Sequence, residues 1–113
     1  MSEGENHLKR VEGEAAARQA RVAHLMRVSG NLSIAIMALW GNSPRAEAML
    51  GMCEASLRWD GPDPRDSETL DSLRNLFSEA VEYRAAEDFP ATMARLRVAY
   101  DMVSLATIRA AGQ

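Results

Sequence analysis

The chain has few of the residues that build disulfides, metal clusters and membrane spans. It contains one cysteine, Cys53, and two histidines in 113 residues. One cysteine excludes an intramolecular disulfide and a cysteine-based metal cluster, and Cys53 is expected to be a small buried hydrophobic residue in a helix. The longest uninterrupted apolar run, Ile34 to Trp40, has seven residues, far fewer than the roughly 20 that a membrane span requires.

The chain also has no large excess of positive or negative charge, and its first residues do not have the pattern of a leader sequence. The net charge is −3, which gives no general attraction to nucleic acid or to an anionic membrane. The first ten residues, MSEGENHLKR, include the acidic residues Glu3 and Glu5 and have no apolar stretch, so they do not resemble a secretory signal. No nucleotide-binding glycine loop, catalytic triad or metal-ligand spacing is present. We therefore expect a cytoplasmic protein that is not an enzyme and that has no cofactor, metal or membrane partner.

What the chain does have is the composition of a globular domain, with 47% apolar and 26% charged residues. No segment alternates with a period of two residues, whereas helical spacing recurs throughout. The helix-breaking segments GNSP and WDGPDPRDSE, together with Pro90, divide the chain into four helical segments. The predicted helices cover about 5–40, 44–58, 65–86 and 90–111, in a single domain of residues 1–113 whose first seven residues are frayed. Because the loops are short, the predicted fold is an all-α, four-helix antiparallel bundle with a long first helix, and we expect it to be oligomeric.

Two stretches of the chain resemble the second half of a tetratricopeptide repeat. They are GNSPRAEAMLGMCEASLRWDGPDP and YRAAEDFPATMARLRVAY, with Ala48, Ala55 and Ala99 at the small-residue positions. Thr92 stands where the repeat has alanine, and the spacing of 44 residues between Ala48 and Thr92 differs from the repeat length of that family. The resemblance implies an alternative packing, two helical hairpins of the tetratricopeptide type, and no particular function.

The first helix carries an apolar seam along its whole length. The seam positions are spaced three and four residues apart, which is typical of a helix that packs against a partner helix; they are Leu8, Val11, Ala15, Arg18, Val22, Leu25, Ser29, Leu32, Ile36 and Leu39.

Towards the end of this helix, in LSIAIMALW, the only polar residue is Ser33. A helix that is apolar on every face has to be buried on every face, and the nearby methionines Met26, Met37, Met49 and Met52 are typical of adaptable binding surfaces.

The apolar half of this helix therefore predicts a protein–protein interaction module. It would act as a homo-oligomer, with a homodimer expected, or as an adaptor or a small subunit that binds another protein through this helix. The predicted contact residues are Leu25, Leu32, Ile36, Leu39 and Trp40.

His24 supports an alternative prediction of a different class. In AHLMRVSGN an arginine, Arg27, follows the histidine by three residues and shares its helix face. This pair resembles the histidine and following cation of histidine phosphotransfer domains, although Val28 replaces the glycine of that motif. The resemblance implies a signalling protein in which an exposed His24 accepts a phosphoryl group. The spacing of Arg18 to His24 also resembles that of some helical ribonuclease domains, but six residues is not quite two turns, so the two side chains diverge.

A third prediction rests on the distribution of charge. Residues 8–28 contain five basic and two acidic residues, whereas residues 66–88 contain seven acidic and two basic residues. The two regions could attract one another within or between molecules. The alternative is that the basic side contacts nucleic acid or an acidic partner, which the scarcity of aromatic residues there does not favour. The predicted anion or partner contacts are Arg18, Arg21, His24 and Arg27.

Overall fold

The computed structural model describes residues 3–112, and the all-α prediction is confirmed. Within that range there are four α-helices and no strand. A short 3-10 helix, Pro64–Asp66, leads directly into the third α-helix. The α-helices are α1 (Glu3–Trp40), α2 (Ala46–Arg58), α3 (Ser67–Ala85) and α4 (Phe89–Ala111).

Helix α1 is continuous from its first described residue to its last. It passes through Gly13 and Gly30 without a break, and an added Cβ at either glycine would meet nothing within 4 Å. Residues 3–7 are helical, and residues 1 and 2 lie outside the described range; the predicted fraying of the first seven residues stays a prediction. Two glycines cost about 1 kcal/mol each relative to alanine, and this is small against the packing of residues 21–40.

The turns between the helices are closed by local hydrogen bonds. After α1 the chain adopts a left-handed conformation at Asn42 (φ 51°), and the Ser43 hydroxyl accepts a hydrogen bond from the Arg45 N–H at 3.1 Å. At the start of α4 the Asp88 carboxylate accepts from the Ala91 N–H at 3.1 Å. Pro90 occupies the first turn of that helix, where its missing N–H leaves no donor unpaired.

Helix α1 lies in the middle of the packing and contacts both α2 and α4, while α3 packs mainly on α4 and only lightly on α2. Leu39 lies beside Phe89 and Thr92 at one end of α4, and Arg21 lies beside Ala110 at the other end. Helices α1 and α4 therefore run in opposite directions. The largest fully buried apolar side chains of the core are Leu25, Leu32, Leu70, Leu73, Leu96, Val28 and Val103.

The molecule is elongated, with extents of 64 × 24 × 21 Å. The cause is the length of α1, whose 38 residues span about 57 Å at 1.5 Å per residue. Its first buried residue is Arg21, and every residue from 3 to 20 is exposed except the partly covered Ala15. We call residues 3–20 the arm.

Candidate interaction surface

The arm is an amphipathic helix with no covering element in the described structure. Its seam residues Leu8 and Val11 are 60% and 46% exposed. From Val22 onwards the same seam is covered, because α2 and α4 pack along it. In proteins, most of the stability of a helix comes from the packing of its apolar face and not from helix propensity. Packing on Leu8 and Val11 would therefore stabilise the arm.

Two of the predicted contact residues belong to the core instead. Leu25 and Leu32 are 0% and 1% exposed, so no partner can reach them without unfolding the domain. Ile36 and Leu39 are half-buried and pack against the core. Only Trp40 is freely accessible, at 70% exposed, with its ring centroid 6.1 Å from that of Phe89. The prediction for Leu25 and Leu32 was wrong because α2 and α4 already cover that side of α1.

The accessible apolar side chains of α1 lie on its opposite side. Met26 and Met37 are 59% and 70% exposed. At 3.6 residues per turn they share a sector of about 60° with Leu8 and with the partly buried Ala15 and Val22, so an apolar stripe runs from the arm onto the body of the molecule. The neighbouring helix α4 adds Leu105 and Ile108, which are 53% and 68% exposed. We call the surface of Met26, Met37, Trp40, Leu105 and Ile108 the outer face.

A shallow groove lies beside Met37 where α1 and α4 meet. It is lined by Ser33, Ile36 and Met37 of α1 and by Arg97, Tyr100 and Asp101 of α4. Arg97 and Asp101 form no ion pair with any residue in the described range. The groove therefore combines apolar surface with one charge of each sign.

His24 is enclosed and cannot act as an exposed phosphate acceptor. It is 3% exposed, and neither ring nitrogen has a hydrogen-bond partner. The Trp59 ring packs against it edge to face, with the centroids 4.7 Å apart, and Gly61 covers Nδ1. Burial lowers the pKa of His24, and the positive charges of Arg27 and Arg74 act in the same direction, whereas Asp66 opposes them. The phosphotransfer prediction, which required an accessible imidazole, is therefore wrong on the position of His24.

Arg21 is also withdrawn from the surface, because it pairs with a buried carboxylate. Its Nη2 lies 2.8 Å from Oδ1 of Asp66, and its Nε donates to both carboxylate oxygens at 3.0 and 3.1 Å. The two residues are 8% and 2% exposed. The bond to Asp66 raises the pKa of Arg21. Of the four predicted anion contacts, only Arg18 and Arg27 are on the surface, because the chain between α2 and α3 folds over the other two.

Residues 59–66, between α2 and α3, form the cover over His24 and Arg21. The segment is held by Asp63, whose carboxylate accepts from the backbone N–H and the guanidinium of Arg65. These bonds lower the pKa of Asp63 to about 2. Gly61 has a positive φ of 76° and lies so close to His24 that an added Cβ would be 2.5 Å from Nδ1. Sequence reasoning missed this contact, although the sequence Asp60-Gly61-Pro62 was a signal for a tight turn.

The reactive side chains of the described range include one cysteine, Cys53. Cys53 is 1% exposed, and burial raises the pKa of its thiol to about 11, so the prediction of a buried hydrophobic cysteine is confirmed. Within residues 3–112 no group of three or more His, Cys, Asp or Glu residues is placed to hold a metal ion.

By length and composition alone, α1 could cross a membrane. An 18-residue window of it has a mean hydropathy of 1.4, and 28% of that window is buried. The count of uninterrupted apolar residues did not predict this. The core helix of a soluble protein and a signal sequence meet the same criterion, so the cytoplasmic location stays a prediction.

Comparison with known proteins adds no relative to this description. No protein-family model, no curated protein and no solved structure matches the chain. The outer face and the arm are therefore interpreted from their own geometry and chemistry.

Proposed function

We propose that this chain is a non-catalytic helical interaction module that forms a homodimer through the outer face. The observation that carries the proposal is the set of large apolar side chains left in water on adjacent helices. Met26, Met37, Trp40, Leu105 and Ile108 are each more than half exposed. Large apolar side chains left exposed on neighbouring helices are typical of interaction sites.

The charges of the groove favour a second copy of the chain as the partner. A two-fold interface brings the same surface of both molecules together, so residue i meets residue j and residue j meets residue i. Arg97 and Asp101 lie on the same side of α4, one turn apart. Two copies can therefore pair Arg97 of each molecule with Asp101 of the other. A surface with one charge of each sign is complementary to itself, whereas a surface with one sign only would repel its copy.

Met37→Glu tests the proposal, because Met37 is 70% exposed and has little packing to lose within one molecule. We expect the wild-type chain to have the mass of a dimer by light scattering and the variant to have the mass of a monomer, with unchanged helical circular dichroism. Burying a charge in an apolar interface costs several kcal/mol, so dimer affinity should fall by at least about 100-fold.

The matched control is Met52→Glu, which makes the same change on α2, at a methionine that is 51% exposed and lies outside the outer face. This variant should remain dimeric. A wild-type chain that stays monomeric at high concentration contradicts the proposal. So does a monomer that binds phosphatidylglycerol vesicles through Met37, because this result assigns the outer face to lipid.

A further inference from the structure

We infer that, in the homodimer, the arm of each molecule lies along the outer face of its partner, so that the two α1 helices pair in antiparallel orientation. The inference rests on the proposed function and adds to it a partner segment for the outer face. It concerns the two surfaces that one molecule leaves uncovered, the arm and the outer face, and it places the arm of one copy on the outer face of the other.

The lengths of the two surfaces agree. The arm has 18 residues, which extend about 27 Å, and the rest of α1, Arg21 to Trp40, has 20 residues, which extend about 30 Å. A two-fold axis near Val22 superimposes each arm on the body of the other molecule over nearly its full length. If the axis lay near the middle of the arm, the arms would cover one another and both outer faces would stay exposed.

The apolar stripe is continuous across the junction between arm and body. Leu8 and Met37 lie in the same sector of α1, each roughly 21 Å along the helix from Val22. An antiparallel pair centred near Val22 therefore brings Leu8 of one copy next to Met37 of the other. Leu8 and Met37 are 60% and 70% exposed in the single molecule. The dimer then contains two equivalent contacts between them, one on each side of the two-fold axis.

The charges of the arm are compatible with this position. On and beside the face of Leu8 the arm carries side chains of both signs, Glu12 and Lys9. The groove beside Met37 carries one charge of each sign, Arg97 and Asp101. Each groove charge therefore has residues of opposite sign within the segment that covers it. Unlike two aligned parallel arms, an antiparallel pair does not place identical charges of α1 opposite one another along its whole length.

Disulfide trapping in the full-length chain tests the orientation and the partner segment together. The variants Leu8→Cys and Met37→Cys are purified separately, mixed under mild oxidation and analysed without reductant. We expect a covalent dimer in the mixture and little in either variant alone. The native Cys53 does not interfere, because it is buried and the pKa of its thiol is about 11.

The matched control is Arg10→Cys, which places the thiol on the far side of the arm, two residues from Leu8. Mixed with Met37→Cys, it should give at least about 10-fold less covalent dimer. Efficient crosslinking of Leu8→Cys with itself overturns the inference in favour of parallel arms. A wild-type dimer that fails to crosslink in the mixture also overturns it but leaves the proposed function intact, whereas a wild-type monomer overturns both.

Discussion

His24 lies one turn from Arg21 on α1, beneath the segment that connects α2 to α3. The two side chains are both buried, but they differ in their hydrogen bonding. Asp66 accepts the hydrogen bonds of Arg21, whereas His24 has no partner for either nitrogen and burial lowers its pKa. In the sequence they look like members of one basic strip. Their difference depends on the position of residues 59–66, which bring Asp66 to Arg21 and Gly61 to His24. The spacing of residues along a helix does not predict which of them a distant loop will cover.

The burial of His24 predicts a pH dependence of stability. Because the folded-state pKa of His24 lies below the ordinary value of 6.5, the unfolded chain takes up a proton first as the pH falls. Its contribution to the free energy of unfolding is therefore complete above about pH 6.5 and is lost as the pH falls below that value.

Urea unfolding at several pH values between about 5 and 8 measures this effect. We expect His24→Leu to flatten the dependence, while His7→Gln, in the exposed arm, leaves it as in the wild type. Asp63 does not contribute to the pH dependence between about 5 and 8, because its pKa of about 2 places its titration at far lower pH. A His24→Leu protein with an unaltered pH profile contradicts the interpretation.

At the scale of the elements, the four helices and their approximate limits followed from apolar spacing and helix breakers. The observed α2 and α3 begin two residues after their predicted starts, and α4 begins one residue before its predicted start. The segment between α2 and α3 was predicted to be a loop, but its place over α1 was not. That place depends on a close contact between Gly61 and His24, which are distant in sequence and belong to different elements.

Gly61→Ala tests the closure of this segment on α1. A side chain at φ 76° is strained, and its Cβ would lie 2.5 Å from Nδ1 of His24, so we expect a loss of about 2 to 4 kcal/mol in the free energy of unfolding. In a His24→Ala background the loss should shrink to about 1 to 2 kcal/mol, which is the backbone strain alone.

Gly51→Ala is the matched control for this substitution. It makes the same change within α2, where an added Cβ meets nothing within 4 Å, and it should stabilise the protein by up to about 1 kcal/mol. Equal losses for Gly61→Ala in the two backgrounds would show that the His24 contact is not the cause.

At the scale of the whole molecule, one helix is much longer than the domain that packs on it. The length of α1 was predicted from its seam, and so was the need for a covering partner. The prediction placed that need at Leu25 and Leu32, which the domain itself covers. In the structure the uncovered apolar side chains lie instead on the arm and on the outer face.

The proposed dimer has a definite overall length. If each arm lies on the outer face of the other molecule, the two α1 helices overlap almost completely. The longest dimension of the dimer should then stay close to the 64 Å of one molecule. Two molecules that pair only along their arms would span about 100 Å, because the overlap is then a single arm of about 27 Å. Small-angle X-ray scattering of the wild-type dimer separates the two arrangements, and a maximum dimension near the larger value contradicts the inferred packing.

The amino-acid order alone was sufficient for the helical class, the four segments and the buried state of Cys53, because these follow from periodicity, turn residues and residue type. It also indicated that α1 has more apolar surface than one short domain can cover. Which apolar residues are covered, and which are left in water, followed only from the packing of α2 and α4 on one side of α1. The burial of His24 and the Arg21–Asp66 pair likewise required the fold, since these contacts join segments that helical spacing cannot relate.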